Sequence, residues 1–172
     1  STLSSVFNFA MDRELIEMHP MKGGKVKKLT ENTGRTRILS DDEQERLLDA
    51  AKASEWPMLH LLVRMCLTTA ARRSEVMNLR WSDLRLDESI AVLAKTKSGR
   101  ARSLPLVSDV KASLVAAKKV RPLKSDHVFF DPRQPDRPMR IDTVWRKCRA
   151  EAGLLNDRDD PLDRVYLHTT RH

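Results

Sequence analysis

Residues 89–107 read SIAVLAKTKSGRARSLPLV. Apolar residues recur at helical spacing before this stretch, whereas we interpret residues 89–94 and 102–107 as two strands, with a period of two. The Lys-Ser-Gly segment at 97–99 is typical of a turn, so the pattern predicts a β-hairpin. Pro105 has no N–H to donate to a neighbouring strand, and the second strand is therefore expected at a sheet edge.

Helical patterns surround the predicted hairpin. Ser40 and Glu43 have the spacing of a capping box and predict a helix start, and Ser108 is expected to cap a later helix. Apolar residues at i, i+3 and i+4 spacing predict helices within residues 3–19, 41–51, 57–67, 72–79, 108–120 and 141–152. A short strand is expected at 127–130, followed by a Pro-rich turn. These elements predict an α+β fold, mostly helical with a small antiparallel sheet.

Composition narrows the class of protein. The chain has 172 residues, 40% of them hydrophobic, which excludes a chain that is disordered throughout. No apolar run reaches the length that a membrane-spanning helix requires. Cys66 and Cys148 are far apart and neither belongs to a CxxC pair, so we expect reduced thiols in the core and no zinc or disulfide framework. Trp81 and Trp145 are expected to anchor that core.

Basic residues exceed acidic ones, 32 against 24, and the formal net charge of +8 indicates a polyanionic partner such as nucleic acid. Six basic side chains and one acid lie within residues 22–37, which is typical of a flexible cationic linker. The expected organisation is therefore a helix from a separate domain at 1–20, a basic linker at 21–38 and the main domain at 39–172.

Three basic clusters lie at junctions between predicted elements. Each could be an ordinary solvated surface, and Arg72 could simply pair with Glu75 on a helix surface. The clusters occur in the segments TAARRSE at 69–75 with LRWSDL at 79–84, TKSGRARSLPL at 96–106, and HTTRH at 168–172. In this order the three segments resemble the arginine box, the lysine hairpin and the His-x-x-Arg-His box of the tyrosine recombinases, or phage-type integrases. Ala70 departs from the family, which commonly has glycine there, so the turn before Arg72 must tolerate a Cβ.

The resemblance implies a role for each matching residue. Arg72 and Arg171 would hold the non-bridging oxygens of the scissile phosphate, because a guanidinium is a permanently charged fork of donors. Lys97 would protonate the leaving 5′ oxygen, and His168 would act as general base or proton relay. Glu75 would support the arginines.

Two alternatives concern neighbouring residues in these motifs. Lys95 lies two residues before Lys97 on the same predicted strand face and could take its role. His168 and His172 are spaced like two metal ligands, but no third ligand completes a zinc motif. No metal and no cofactor is expected, because the arginines would neutralise the charge that a metal ion could otherwise carry.

The implied function is site-specific DNA recombination through a 3′-phosphotyrosyl intermediate, by an enzyme of a prophage or mobile element. Tyr166, the only tyrosine, precedes the third motif, whereas the family nucleophile follows it. The 172 residues are therefore expected to be an inactive fragment without the nucleophile. The alternatives are a non-catalytic DNA-binding protein with the same fold and a relative of the type IB topoisomerases.

The expected partner is double-stranded DNA, with self-association of the full-length protein into a tetramer on paired sites, no membrane, and a location at the bacterial nucleoid in the cytoplasm. The residue 1–20 helix would be the last of a core-binding domain, and 39–172 an incomplete catalytic domain. The basic residues expected to contact DNA are Lys22, Lys25, Lys27, Lys28, Arg35, Arg37, Arg73, Lys95 and Arg100.

Overall fold

The chain divides into two compact units, Ser1–Gly34 and Arg35–His172. In the first unit, α1 spans Thr2–Asp12, where the apolar spacing predicts a helix. The computed structural model describes residues 2–22, 37–93, 101–155 and 165–167.

Helix α1 ends at Asp12, earlier than expected from the His19-Pro20 pair, since a residue before proline disfavours helical backbone. Glu14 has a left-handed backbone with φ 56°, and the N–H groups of Glu14 and Leu15 donate to carbonyls of the last helical turn at 2.9 Å. This Schellman-type ending stops the helix without a proline. His19 is instead buried, and its ring packs edge-on against Phe7 with the ring centroids 5.6 Å apart.

The second unit contains the remaining helices and both sheets. Ser40 and Glu43 form the predicted capping box, with Glu43 N–H donating to Ser40 Oγ at 3.3 Å and Ser40 N–H to Glu43 Oε2 at 3.0 Å. The prediction that Ser108 is a cap is wrong, because Val107 is still extended and Ser108 is already the first helical residue. The helices are α2 Asp41–Lys52, α3 Leu59–Thr69, α4 Arg73–Met77, α5 Ser108–Val120 and α6 Asp142–Glu151.

The predicted hairpin lies within a three-stranded antiparallel sheet. Its strands are β1 Leu84–Arg85, β2 Ile90–Leu93 and β3 Arg102–Pro105, in the order β1-β2-β3. Strand β3 is an edge strand, as Pro105 predicts, and the prediction of two strands here is confirmed. Strand β1 has only two residues, too few to show a period in the sequence. The predicted turn at 97–99 lies outside the described residues.

A second antiparallel pair corrects the prediction for residues 127–138. The strands are β4 Phe130–Asp131 and β5 Gln134–Pro138, so the Pro-rich stretch is a strand and not a turn. In a two-stranded sheet each strand has one unpaired side, and a proline whose nitrogen lies on that side removes no ladder bond. His127, expected to begin a strand, forms only an isolated bridge with Arg80.

Helices α2, α3 and α6 pack around one hydrophobic core, to which α5 and the three-stranded sheet also contribute. Trp81 and Trp145 are buried in it, which confirms their predicted role. Cys66 and Cys148 are free and buried, and burial raises the pKa of Cys66 to about 12 and that of Cys148 to about 11. The α+β fold with a small antiparallel sheet is confirmed.

Arg46 of α2 fastens the far end of α6. Its Nη1 donates to the Ala152 carbonyl at 2.6 Å. The next residue, Gly153, has φ 68° and ends the helix in a left-handed conformation, which is typical of a glycine that directly follows a helical stripe. Across the described ranges of the chain, none of the helices is both long enough and apolar enough to span a membrane. Residues 156–163, whose acidic composition predicts a loop, lie outside those ranges.

Candidate active site

A tight turn between α3 and α4 brings Arg72 to its position. Thr69, the last residue of α3, donates through Oγ1 to the Met65 carbonyl at 2.5 Å and accepts the Ala71 N–H at 3.3 Å. Ala70 has φ 49° and ψ 27°, the left-handed conformation that glycine adopts without strain. The turn therefore does accept a Cβ, at a cost in backbone strain. Ala71 is buried and fixes the chain just before Arg72.

Arg72 and Glu75 are joined by two hydrogen bonds at the start of α4. The Arg72 backbone N–H donates to Glu75 Oε2 at 2.8 Å, and Arg72 Nη1 donates to Oε1 at 2.7 Å. The Glu75 side chain is only 8% exposed, whereas that of Arg72 is 38% exposed. Glu75 therefore holds the guanidinium from the protein side and leaves part of it open to solvent.

Arg102, the first residue of β3, is a third member of this cluster. Its Nη2 donates to Glu75 Oε2 at 2.7 Å, so one carboxylate joins α4 to the sheet. Sequence reasoning did not single out Arg102 as a site residue. The available signal was strand alternation: Arg102 lies two residues before buried Leu104, on the same strand face, where a charged side chain needs a partner.

The electrostatics of Glu75 follow from these contacts. Burial opposes its ionisation, but hydrogen bonds from the Arg72 backbone, the Arg72 side chain and Arg102 outweigh that effect and lower the pKa of Glu75. Glu75 is thus an anion held between two cations. This arrangement suits a supporting residue, because a carboxylate that stays ionised and pointed inwards does not take up protons in a reaction.

An open groove lies beside Arg72. It is lined by α4 and by the end of β5, and residues of both polar and apolar character contribute. Arg73, predicted to contact DNA, borders this groove and pairs with Asp142 at 3.1 Å, with about half of its side chain exposed. The lining residues are Arg72, Arg73, Ser74, Met77, Asn78, Pro138 and Met139.

Two other residues predicted to contact DNA are described. Arg37 donates to the Ile38 carbonyl at 2.9 Å and forms an ion pair with Glu43, so it holds the chain against the start of α2. Lys22 Nζ contacts Asn8 Oδ1 at 3.4 Å within the first unit. The remaining predicted site residues, Lys25, Lys27, Lys28, Arg35, Lys95, Lys97, Arg100, His168 and Arg171, lie outside the described residues.

The structure therefore brings Arg72 and Glu75 together and adds Arg102. It does not describe Lys97, His168 or Arg171, whose roles stay predictions. Within the described segments, no three His, Cys, Asp or Glu side chains are grouped as metal ligands would be.

Two curated relatives align with this chain. A shufflon-specific DNA recombinase of Escherichia coli is 33% identical over 105 residues, which is 60% of this chain and 27% of the relative. An integrase/recombinase of Haemophilus influenzae is 26% identical over 184 residues, 99% of this chain and 46% of the relative. The chain thus spans between a quarter and a half of the length of these relatives.

Solved structures share the fold. A λ integrase tetramer bound to a Holliday junction aligns with a TM-score of 0.71 at 22% identity, over 99% of this chain and 48% of the other. XerA recombinase aligns with a TM-score of 0.63 at 22% identity, over 98% of this chain and 57% of the other. The catalytic domain of bacteriophage HP1 integrase aligns with a TM-score of 0.55 at 25% identity, over 78% of this chain and 68% of the other. The phage integrase family matches residues 37–172, which is most of the chain, and the chain therefore belongs to the phage integrase family.

Proposed function

We propose that the protein containing this chain is a site-specific DNA recombinase that breaks and rejoins DNA through a 3′-phosphotyrosyl intermediate. The observation that carries the proposal is the partly exposed Arg72 guanidinium held by the buried Glu75 carboxylate, within a chain that matches the family over residues 37–172. A guanidinium fixed from behind and open in front is suited to bind a phosphate.

The proposed chemistry is an exchange at phosphorus. A tyrosine oxygen attacks the scissile phosphate and forms the 3′-phosphotyrosyl bond while the P–O5′ bond breaks. Arg72 and Arg171 stabilise the charge on the non-bridging oxygens. His168 receives the tyrosine proton, and Lys97 gives a proton to the leaving 5′ oxygen. The step is proposed to need no cofactor, because the phosphotyrosyl bond conserves the energy of the phosphodiester bond that breaks.

The nucleophile is proposed to lie outside these 172 residues. Tyr166 is the only tyrosine in the chain and precedes His168 in sequence, whereas the family nucleophile follows that box. The 172-residue chain alone is therefore expected to bind duplex DNA weakly and to form no covalent adduct with it.

The proposed partner is double-stranded DNA, and the whole protein is proposed to form a tetramer on paired sites. Integrases of this fold were solved on DNA, one of them as a tetramer on a Holliday junction. Residues 1–20 would belong to a core-binding domain, 21–38 to a basic linker and 39–172 to the catalytic domain. The boundary between the compact units at Gly34 and the family match from residue 37 support this division.

The proposed setting is a prophage or another mobile element, with activity at the nucleoid in the bacterial cytoplasm. The location follows from the proposed substrate, because the enzyme must reach the DNA that it recombines. The net charge of +8 supports contact with a polyanion and adds affinity that falls as salt is raised.

The test is covalent trapping of DNA by the whole protein. The protein is incubated with nicked duplexes of randomised sequence, and complexes that survive SDS are recovered and their DNA sequenced. We expect recovery of one related group of sequences by the wild type and none by Arg72→Ala. Arg80→Ala is the matched control, because Arg80 is also partly exposed and ion-paired, with Asp126 at 3.0 Å, and this variant should react like the wild type.

The same experiment separates the alternatives. Binding of duplex DNA without any covalent adduct would favour a non-catalytic DNA-binding protein. Adducts with no common sequence, together with relaxation of supercoiled plasmid, would favour a relative of the type IB topoisomerases. Wild-type levels of adduct in Arg72→Ala would refute the proposed role of Arg72.

A further inference from the structure

We infer that Arg102 is a positioning residue, which orients Arg72 for the scissile phosphate by holding the Glu75 carboxylate that the two arginines share. The inference rests on the proposed function and extends it to a residue on a different element. It rests on three features of the described residues: the geometry of the shared carboxylate, its burial, and the charge balance of the cluster.

Geometry shows how Arg102 acts on Arg72. Glu75 Oε2 accepts from Arg102 Nη2 at 2.7 Å, and the other oxygen, Oε1, accepts from Arg72 Nη1 at 2.7 Å. Because a carboxylate is planar, fixing Oε2 also fixes the direction in which Oε1 points. Without Arg102, the contacts that orient Glu75 in the described structure come from Arg72 itself, three residues earlier and directly before the same short helix. Arg102 therefore orients the Glu75 carboxylate from outside α4.

Burial distinguishes this cluster from an ordinary surface ion pair. The Glu75 side chain is 8% exposed, whereas most carboxylates of the ion pairs in the described segments are more than half exposed. Exposed pairs contribute little because water competes for both charges. Arg102 Nε is also buried and has no acceptor among the described residues, so its guanidinium is held through Nη2 by Glu75.

Charge balance gives Arg102 a second effect on Arg72. Glu75 alone would neutralise Arg72, and the pair would offer a phosphate little net attraction. With Arg102 included, two positive charges share one negative charge, so the cluster keeps a net charge of +1. Arg72 has five side-chain N–H donors and uses one of them on Glu75 Oε1. Among the described residues no other acceptor takes the remaining donors, which can bind phosphate oxygens.

The test measures single-turnover adduct formation by the whole protein, on the nicked duplex that the wild type selects. Arg102→Ala should slow the covalent step about 10- to 100-fold, because a displaced guanidinium loses alignment with the phosphate. The Kd for the duplex should change much less, since most affinity comes from other phosphate contacts. Arg102→Lys should recover part of the rate, because it keeps the charge but not the fork of donors.

The pH profile of the covalent step separates positioning from a merely structural role. The charged groups that face Glu75 in the described structure are Arg72, directly before α4, and Arg102 of β3. Removing Arg102 raises the pKa of Glu75 towards its ordinary value, because a donor and a positive charge are lost. The acid limb of the rate profile should therefore move to higher pH in Arg102→Ala.

The matched control is Arg85→Ala, which removes an exposed arginine of the same sheet that pairs with Glu88 at 3.6 Å. It should leave the rate and the pH profile unchanged. A wild-type rate in Arg102→Ala, or equal losses in Arg102→Ala and Arg102→Lys with an unmoved acid limb, would overturn the inference. If the wild type forms no adduct, the proposed function fails and this inference fails with it. If the wild type forms the adduct and the Arg102 variants form it at the same rate, this inference alone fails.

Discussion

Glu75 accepts hydrogen bonds from both the backbone and the side chain of Arg72, at 2.8 Å and 2.7 Å. The backbone bond satisfies an N–H that the start of α4 leaves free, and the side-chain bond fixes the guanidinium. One residue therefore stabilises the helix start and orients the group that we propose to bind phosphate. Truncating the Glu75 side chain would remove both effects at once, so a substitution that keeps its size and shape is needed to test them.

Glu75→Gln is such a change, and we expect it to lower the free energy of unfolding by about 1–2 kcal/mol. The amide keeps one acceptor oxygen but turns a donor group towards a guanidinium, so at least one of the three hydrogen bonds is lost. Urea unfolding of the chain at neutral pH measures this effect. Glu88→Gln is the control, because Glu88 is exposed in its pair with Arg85, and a change below about 0.5 kcal/mol is expected there. Equal effects of the two substitutions would contradict the burial argument.

Ala70 offers a test of backbone strain beside the site. Its φ of 49° is costly for a residue with a Cβ, and Ala70 is exposed, so a smaller side chain leaves no cavity. Ala70→Gly should therefore raise the free energy of unfolding by about 0.5–1 kcal/mol, measured by urea unfolding.

The control for this prediction is Ala53→Gly. Ala53 is also exposed and also follows a helix, but its φ of −77° is ordinary, so glycine there only adds freedom to the unfolded chain. It should destabilise by about 0.5–1 kcal/mol. If Ala70→Gly lowers the urea midpoint as Ala53→Gly does, Ala70 is not strained.

Local patterns explain which parts of the fold were predictable from sequence. The capping box at Ser40 depends on residues three apart, and strands β2 and β3 depend on short runs of neighbouring residues, so both can be recognised locally. Strand β5 was missed because its prolines disfavour strands, and only the pairing with β4 shows that this edge position tolerates them.

The candidate site was predictable to the same extent. Arg72 and Glu75 lie in one motif and are joined within one turn of helix, so their contact could be expected from spacing. The contact between Glu75 and Arg102 spans 27 residues and depends on how β3 packs against α4, which no local pattern encodes. Sequence can indicate that an inward-facing arginine needs a partner, but the fold decides which carboxylate it meets.

The two buried cysteines make a prediction about reactivity. The thiolate is the reactive form, and burial raises the pKa of Cys66 to about 12 and that of Cys148 to about 11. Neither thiol should react with Ellman's reagent at about pH 8 in the folded chain, whereas both should react in denaturant. Rapid modification of either cysteine in the native protein would show that the core around α3 or α6 opens on the timescale of the assay.

The Arg37–Glu43 ion pair makes stability depend on pH. The hydrogen bond from Arg37 lowers the pKa of Glu43, and the Ser40 backbone N–H adds to this effect against the opposing effect of burial. Because the folded-state pKa lies below the unfolded-state value, Glu43 contributes stability that is fully present above the unfolded pKa. That contribution is lost as the pH falls through the folded pKa. The pKa values of Glu75 and Asp109 are also lowered, so Glu43 accounts for only part of the acid sensitivity.

Glu43→Gln should therefore lower the urea midpoint at neutral pH and make its decline shallower between about pH 5 and pH 3. At neutral pH the variant lacks the charge that Arg37 binds, whereas at the acid end wild type and variant are both uncharged at this position and their midpoints should converge. Glu45→Gln, on the exposed side of the same helix, should give a curve parallel to that of the wild type. A constant offset between Glu43→Gln and wild type across the whole pH range would mean that Glu43 acts through packing and not through its charge.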